Sequence, residues 1–107
     1  MRTFELRVYT LRTKEALDLY RDAIYPRHLN SFSLYGIEAH GFWTAMGDVQ
    51  PRLFVLASYA AGEEPGEVVR RYMQSKEFAD DIKNFDVSDI VGVESTILTP
   101  SASSPLK

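Results

Sequence analysis

The stretch Gly36–Tyr59, GIEAHGFWTAMGDVQPRLFVLASY, contains the strongest β-hairpin signal in the chain. Its first arm, residues 37–46, alternates with a period of two, which places neighbouring side chains on opposite faces of a sheet. The second arm, residues 53–59, is apolar on both faces, as in a strand that is covered on each side. Gly47 and Pro51 lie between the arms and supply turn residues. The hairpin therefore predicts a sheet with one layer above it and another below.

The segments on either side of the hairpin each combine a helix with a strand. Residues 3–11 alternate like a strand, and the apolar side chains that follow the predicted N-cap Thr13 recur at helical spacing. Pro26 lies inside this helical pattern and predicts a distortion near residues 22–25, because it removes a backbone donor. After the hairpin, two short amphipathic helical segments precede a last alternating strand over residues 90–98.

The order strand, helix, strand, strand, helix, strand predicts an α+β fold of the ferredoxin-like βαββαβ type. In this fold a four-stranded antiparallel sheet carries both helices on one face. The other face would expose apolar hairpin residues, and an exposed apolar patch marks an interface. A second copy of the sheet is the simplest partner, which predicts a homodimer, a dimeric α/β barrel. We expect residues 1–99 to form this domain and residues 100–107 to form a C-terminal arm or tail.

Composition limits the classes of function. The 107 residues carry a net charge of -3 with both signs scattered, which leaves no basic surface for nucleic acid. No apolar run reaches the length of a membrane span and no signal peptide precedes Phe4, so we expect a cytoplasmic protein without a membrane partner. The chain has no cysteine, which excludes disulfides and thiolate chemistry. Its two histidines are not spaced like metal ligands, so no metal site is expected.

Three segments carry a resemblance to a known family. They are FELRVYTLR at residues 4–12, YPRHLNSF followed by GIEAHGFWTAMGD within residues 25–48, and the ending ESTILTPSASSPL at residues 94–106. Together they resemble the NIPSNAP family, within the dimeric α/β-barrel superfamily. The resemblance implies a homodimer whose two sheets face each other and enclose a small-molecule pocket. It implies no single reaction, because NIPSNAP proteins mostly lack an assigned activity and their superfamily relatives include cofactor-free oxygenases, cyclases, lactone isomerases and haem-handling enzymes.

The faces of the strands define a candidate site. We assign the apolar residues Phe4, Leu6 and Val8 to the helix side, which sends Arg7 and Tyr9 to the open side. The same reasoning places small or apolar residues of the second strand and Trp43 in the core, and sends four others to the open side with Arg7. These four are Glu38, His40, Phe42 and Thr44.

His40 is the predicted general base, because imidazole titrates near neutral pH. Arg7 and Tyr9 would steady a developing oxyanion, and Glu94 on the neighbouring last strand is expected to pair with Arg7. The ligand would be a small apolar molecule with oxygen functions, held between the sheet and either the partner or the helices. The residues predicted to bind it are Glu38, Phe42, Thr44 and Glu94.

Each of these residues also has a structural interpretation. His40 also fits an exposed histidine at a sheet edge, and Arg7 with Glu94 also fits a structural ion pair. His28, on the apolar stripe of the first helix, fits a hydrogen-bonded packing residue, and Tyr72 fits the core.

Three functions therefore stay open. The first is an enzyme that acts on a hydrophobic carbonyl or phenolic substrate by acid/base chemistry without a cofactor, as a cyclase, isomerase or monooxygenase. The second is a non-catalytic dimeric binding or interaction module. The third, kept because of the superfamily, is haem binding through His28 or His40.

Overall fold

The computed structural model describes residues 1–107 and contains one antiparallel sheet with the strand order β2-β3-β1-β4. This is the order of a ferredoxin-like domain, in which the first and third strands lie in the centre. The predicted ferredoxin-like α+β fold is therefore confirmed. The four strands are β1 (Thr3–Leu11), β2 (Ile37–Trp43), β3 (Arg52–Tyr59) and β4 (Ile90–Leu98).

All helices pack on one face of this sheet, where they enclose the core. They form two units, one between β1 and β2 and one between β3 and β4. The α-helical segments are α1 (Lys14–Leu19), α2 (Tyr25–Phe32), α3 (Pro65–Met73) and α4 (Lys76–Asp81). The Thr13 side chain accepts a hydrogen bond from the Ala16 backbone N–H at 3.0 Å, so the predicted N-cap is confirmed. None of the helices is long and apolar enough to cross a bilayer.

A π-helical turn, Tyr20–Ile24, joins α1 to α2. The backbone N–H of Tyr25 donates to the carbonyl of Tyr20, five residues earlier, and Pro26 has no N–H for the carbonyl four residues before it. The distortion predicted near residues 22–25 is present as this turn. As a result, Tyr20, Tyr25 and His28 of this helical unit are all buried.

The two faces of β1 are the reverse of the prediction. Arg7 lies opposite Val55, which is completely buried under the helices, so the odd-numbered residues of β1 face the helical layer. The even-numbered residues lie on the other side of the sheet, which we call the open face. Apolar character misled the assignment because both faces of the sheet carry apolar residues. Phe4, Leu6 and Val8 were predicted on the helix side but lie on the open face. Arg7 and Tyr9 were predicted on the open face but lie on the helix side.

A β-bulge at His40 changes the faces of β2. The register against β3 shifts there, so two residues of β2 oppose one residue of β3. Beyond the bulge, Phe42 lies opposite Val55 on the helix side and Trp43 lies opposite Phe54 on the open face. The predictions that Phe42 faces the open side and that Trp43 belongs to the core are wrong for this reason. The Trp43 side chain is 54% exposed.

The open face is apolar along its centre, where β1 and β3 contribute Leu6, Val8, Phe54 and Leu56. The edge strand β4 is exposed along most of its length. Residues 99–107 continue beyond β4 and return to the sheet, where Arg2 Nη2 donates a hydrogen bond to the carbonyl of Lys107 at 3.3 Å.

Candidate ligand cavity

A cavity of about 230 Å³ lies between the helices and the helix side of the sheet. An engineered apolar cavity of about 150 Å³ binds benzene, so this one has room for a molecule of one or two rings. The cavity reaches the surface between α3 and β4, where Met73 and Val93 line it and are themselves about half exposed. The lining side chains that carry polar groups are Arg7, Tyr9, Tyr20, Tyr25, His28, Tyr59 and Tyr72.

One part of this wall is a cluster around Glu5, which is only 3% exposed. Glu5 accepts hydrogen bonds from the hydroxyls of Tyr59 and Ser95, each at 2.5 Å, and from Arg7 Nη1 at 3.1 Å. We call Glu5, Arg7, Tyr9, Tyr59 and Ser95 the Glu5 cluster. A buried carboxylate and a buried guanidinium are tolerated on the helix side because they pair with each other and with hydroxyls.

The guanidinium of Arg7 stays charged in this setting. Burial alone would lower the pKa of Arg7, but the attraction of Tyr9 and Glu5 outweighs burial and holds the pKa above its usual value. Arg7 Nε donates to the Tyr9 hydroxyl at 3.0 Å, and Nη1 donates to Glu5. Nη2 donates to no protein group. Every fully buried polar side-chain atom has a partner, so Nη2 is not fully buried. A charged, free donor is therefore left at the cavity wall.

A second set of polar groups, the His28 chain, links Tyr20, His28, Tyr72 and Asp81. The Tyr72 hydroxyl donates to Asp81 Oδ2 at 2.6 Å and contacts His28 Nδ1 at 2.5 Å, and the Tyr20 hydroxyl lies 3.3 Å from His28 Nε2. Tyr72 has one proton and gives it to Asp81, so His28 Nδ1 must carry the proton shared with Tyr72. His28 Nε2 is then an acceptor, and Tyr20 donates to it.

Burial keeps His28, Tyr20 and Tyr72 of this chain neutral. Burial lowers the pKa of His28 to about 4, against the opposing attraction of Asp81, so the imidazole is uncharged at neutral pH. Burial, followed by the neighbouring Tyr9 hydroxyl, raises the pKa of Tyr20, and burial with the hydrogen bond to Asp81 raises the pKa of Tyr72. Both tyrosines therefore remain protonated donors.

The structure does not bring the predicted site residues together. Arg7 and Tyr9 line the cavity, but Glu94 lies opposite Val8 on the open face and is exposed. The predicted pair of Arg7 with Glu94 is wrong because Arg7 lies opposite Ser95, and its carboxylate partner is Glu5 on its own strand.

His40 lies on the open face, outside the cavity. Its Nε2 is 2.7 Å from the Ser58 hydroxyl, and its ring centroid is 5.3 Å from that of Phe4. Glu38 pairs with Arg2 beside it and is 61% exposed. The bulge at His40 separates these residues from Phe42.

Phe42 and Thr44 lie in two further places. Phe42 packs against Tyr25 in the core, with ring centroids 5.0 Å apart, and does not line the cavity. Thr44 follows β2 and lines a separate polar cleft beside Asp48 and Arg52. Of the predicted site residues, only Arg7 and Tyr9 lie at the cavity.

The sequence contained a signal for some of the residues that were missed. Tyr20 and His28 interrupt the apolar stripe of the first helical unit, and Tyr72 interrupts that of the second. Buried polar groups of this kind must find partners, so their presence in two stripes that face one sheet indicates a shared polar network. Glu5 and Asp81 carried no such signal.

The cavity does not fit haem. Both ring nitrogens of His28 are engaged by tyrosine hydroxyls, His40 lies on the other face of the sheet, and a cavity for one or two rings is too small for a porphyrin. No three side chains of histidine, aspartate or glutamate come together as a metal site.

These features define a class of protein, a ferredoxin-like α+β domain with an aromatic cavity under its helices. A model of the NIPSNAP family matches residues 4–105, which is nearly the whole chain. The chain belongs to the NIPSNAP family, as the resemblance of its sequence implied. Among curated proteins, none matches the chain.

Solved structures share the fold at low sequence identity. A NIPSNAP family protein from Agrobacterium tumefaciens is 20% identical, with both chains covered completely and a TM-score of 0.74. An uncharacterized NIPSNAP domain protein from Burkholderia xenovorans is 19% identical over 96% of this chain and 98% of its own, with a TM-score of 0.68. A dimeric ferredoxin-like protein from an uncultured marine organism is 16% identical over both complete chains, with a TM-score of 0.67.

Proposed function

We propose that the protein binds a small, neutral, oxygen-bearing aromatic molecule in the cavity between sheet and helices. The observation that carries this proposal is Nη2 of Arg7, a charged donor at the cavity wall that donates to no protein group. A carbonyl or phenol oxygen would accept from Nη2, and the aromatic side chains would contact the rings of the ligand.

The charges at the wall favour a neutral ligand. Glu5 compensates the charge of Arg7 at 3.1 Å, and His28 is uncharged. An anionic ligand would therefore bring a second negative charge into a buried site that already holds a paired cation, which is costly. A neutral oxygen needs only the free donor.

An enzyme that acts on such a carbonyl or phenolic molecule, by acid/base chemistry and without a cofactor, is the second candidate. The His28 chain favours it, because this chain connects the cavity wall to the carboxylate of Asp81. A non-catalytic binding module needs the cavity and Arg7 alone.

The binding proposal is tested with Arg7→Lys and with β-naphthol, a two-ring phenol, as the probe. Lysine keeps the charge that Glu5 needs but lacks Nη2, so we expect the probe to bind about tenfold more weakly, as for the loss of one hydrogen bond to a charged group. Arg2→Lys, at the ion pair with Glu38 on the open face, is the matched control and should bind like the wild type. Equal binding by Arg7→Lys, or no saturable binding by the wild type, would refute the proposal.

We also propose that two copies of the chain form a homodimer through their open faces. Two facts support this: the centre of that face is apolar, and one structural neighbour is described as dimeric. A stable interface of this kind buries about 1,500 Å² in total. Trp43 lies on this face and is the single tryptophan of the chain, so its emission should shift to the red when dilution dissociates the dimer. A folded monomer in light scattering at micromolar concentration would contradict the dimer.

A further inference from the structure

We propose that the His28 chain is a proton path that takes a proton from the molecule held at Arg7 and delivers it to Asp81. This inference rests on the proposed ligand binding and makes the cavity an acid/base catalytic site. Tyr20 is the member that would take the proton from the ligand, and His28, Tyr72 and Asp81 pass the proton on from it. The ligand class is a phenol or an enolisable carbonyl compound, since both ionise to an oxyanion.

The hydrogen bonds of the chain have one direction. Tyr72 donates to Asp81 at 2.6 Å, which leaves the Tyr72 oxygen to accept from His28 Nδ1 at 2.5 Å. His28 Nε2 in turn accepts from Tyr20 at 3.3 Å. Each proton therefore points along the cavity wall toward the carboxylate, and the chain starts at the Tyr20 oxygen, whose lone pairs can accept a proton.

The transfer along this chain balances. The ligand O–H or C–H bond breaks, its electron pair stays on the ligand, and its proton forms a new O–H bond at Tyr20. The former Tyr20 proton moves to His28 Nε2, the Nδ1 proton moves to Tyr72, and the former Tyr72 proton moves to Asp81 Oδ2. Every member ends neutral, and the negative charge has moved from Asp81 to the ligand. The reverse movement returns a proton to the ligand, at the same or another position, so no oxidant or further reactant is needed.

Arg7 makes this charge movement favourable at the other end. Arg7 and Tyr20 line the same cavity, and the ring of Tyr9, whose hydroxyl accepts from Arg7, packs edge-on against the ring of Tyr20 with centroids 5.4 Å apart. A newly formed oxyanion would meet the Nη2 donor in a site of low dielectric, where such donors are strongest. The net charge of the buried site does not change during the transfer.

The direction of the hydrogen bonds in the His28 chain can be measured without a ligand. Nitrogen NMR of the wild-type protein should show His28 as the neutral imidazole with its proton on Nδ1. A wild-type signal from the Nε2-protonated form or from the imidazolium at neutral pH would overturn the proposal.

Proton transfer is measured with bound β-naphthol, which becomes a strong acid on excitation and emits at longer wavelength after it has lost its proton. We expect naphtholate emission from the wild-type complex and an at least tenfold lower ratio of naphtholate to naphthol emission in Asp81→Asn and Tyr72→Phe. Tyr35→Phe is the matched control, since Tyr35 also donates to a carboxylate, Glu77, but lies outside the chain. It should keep the wild-type ratio.

The outcomes separate this inference from the proposed function. Binding with an unchanged emission ratio in both Asp81→Asn and Tyr72→Phe would refute the proton path and leave ligand binding intact. If the wild-type protein does not bind β-naphthol, the proposed function and the proton path are both refuted. Thermal unfolding of each variant shows whether it is folded, and Tyr72→Phe, which keeps the ring, provides the result if Asp81→Asn does not fold.

Discussion

The two faces of the same sheet differ in polarity, and the difference is the opposite of the expectation that charged residues lie outside and apolar residues inside. The helix side, which is the interior of the protomer, holds the charged Glu5 cluster, whereas the open face is apolar at Leu6, Phe54 and Leu56. Charged groups are placed inside because each has a partner within hydrogen-bonding distance. Hydropathy therefore indicates whether a face of the sheet is covered. Hydrogen-bond and ion-pair partners determine which polar residues can be buried in the interior.

Two neighbouring residues of β3 give the largest expected effect. Val55 is completely buried under the helices, so Val55→Asp would place an unpaired charge in the core at a cost of several kcal/mol, which is comparable with the stability of a small domain. We expect this variant to be unfolded, as measured by circular dichroism. Leu56, one residue later, lies on the open face, and Leu56→Asp should act on the assembly of two copies.

Light scattering distinguishes the two substitutions. If the proposed dimer forms through the open face, Leu56→Asp should abolish it and leave an apolar face exposed. We expect this variant to aggregate at high protein concentration and to be a monomer at low concentration. A dimeric Leu56→Asp variant would show that the open face is not the interface. A folded Val55→Asp variant would show that the helix side is less tightly covered than the structure indicates.

The sequence predicted the elements better than the faces. The hairpin, the helical stripe with Tyr20 and His28 and the order of the elements along the chain follow from periodicity, which is a local property. Arg7 and Tyr9 were placed on the wrong face because apolar residues alternate with them on a sheet that is apolar on both sides. Phe42 was misplaced by a one-residue bulge at His40, and such a shift moves each later side chain to the other face. The cavity depends on contacts between distant segments, which periodicity does not contain.

The buried ion pair of Glu5 with Arg7 and the exposed ion pair of Glu38 with Arg2 should differ in their contribution to stability. Glu5→Gln keeps the shape but leaves Arg7 buried without a carboxylate, and breaking a buried pair in this way costs about 3–5 kcal/mol. Glu38→Gln breaks the pair with Arg2 on the open face, where Glu38 is 61% exposed, and exposed pairs are worth about 0–1 kcal/mol. Urea unfolding measures both free energies. Equal losses in the two variants would contradict the assignment of Glu5 to a buried network.

The pH dependence of stability tests the neutral state of His28. Its pKa is about 4 in the folded protein and about 6.5 in the unfolded chain, so between these values the unfolded chain binds more protons. The free energy of unfolding should therefore fall by about 3 kcal/mol as the pH decreases from 6.5 to 4, and should be independent of His28 above pH 6.5. His28→Gln should lose this component, and His40→Gln, on the open face, is the matched control. Identical slopes for His28→Gln and the wild type would show that folding does not lower the pKa of His28.

The smallest expected effect concerns residues 101–107, which we predict to act as an arm at the rim of the open face. Within the protomer, the arm bonds to the sheet through Arg2, whose Nη2 donates to the Lys107 carbonyl at 3.3 Å, so deleting residues 101–107 should change protomer stability by less than about 1 kcal/mol. The same Arg2 side chain lies within 3.4 Å of Ser58 and over the ring of Phe4, both on the open face. An arm held there would contact a partner sheet, and its deletion should weaken the dimer more than it weakens the protomer. Amide exchange supplies the second measurement, because an arm is protected in the dimer while a loose tail exchanges at once. Rapid exchange together with an unchanged dissociation constant after deletion would identify the segment as a tail.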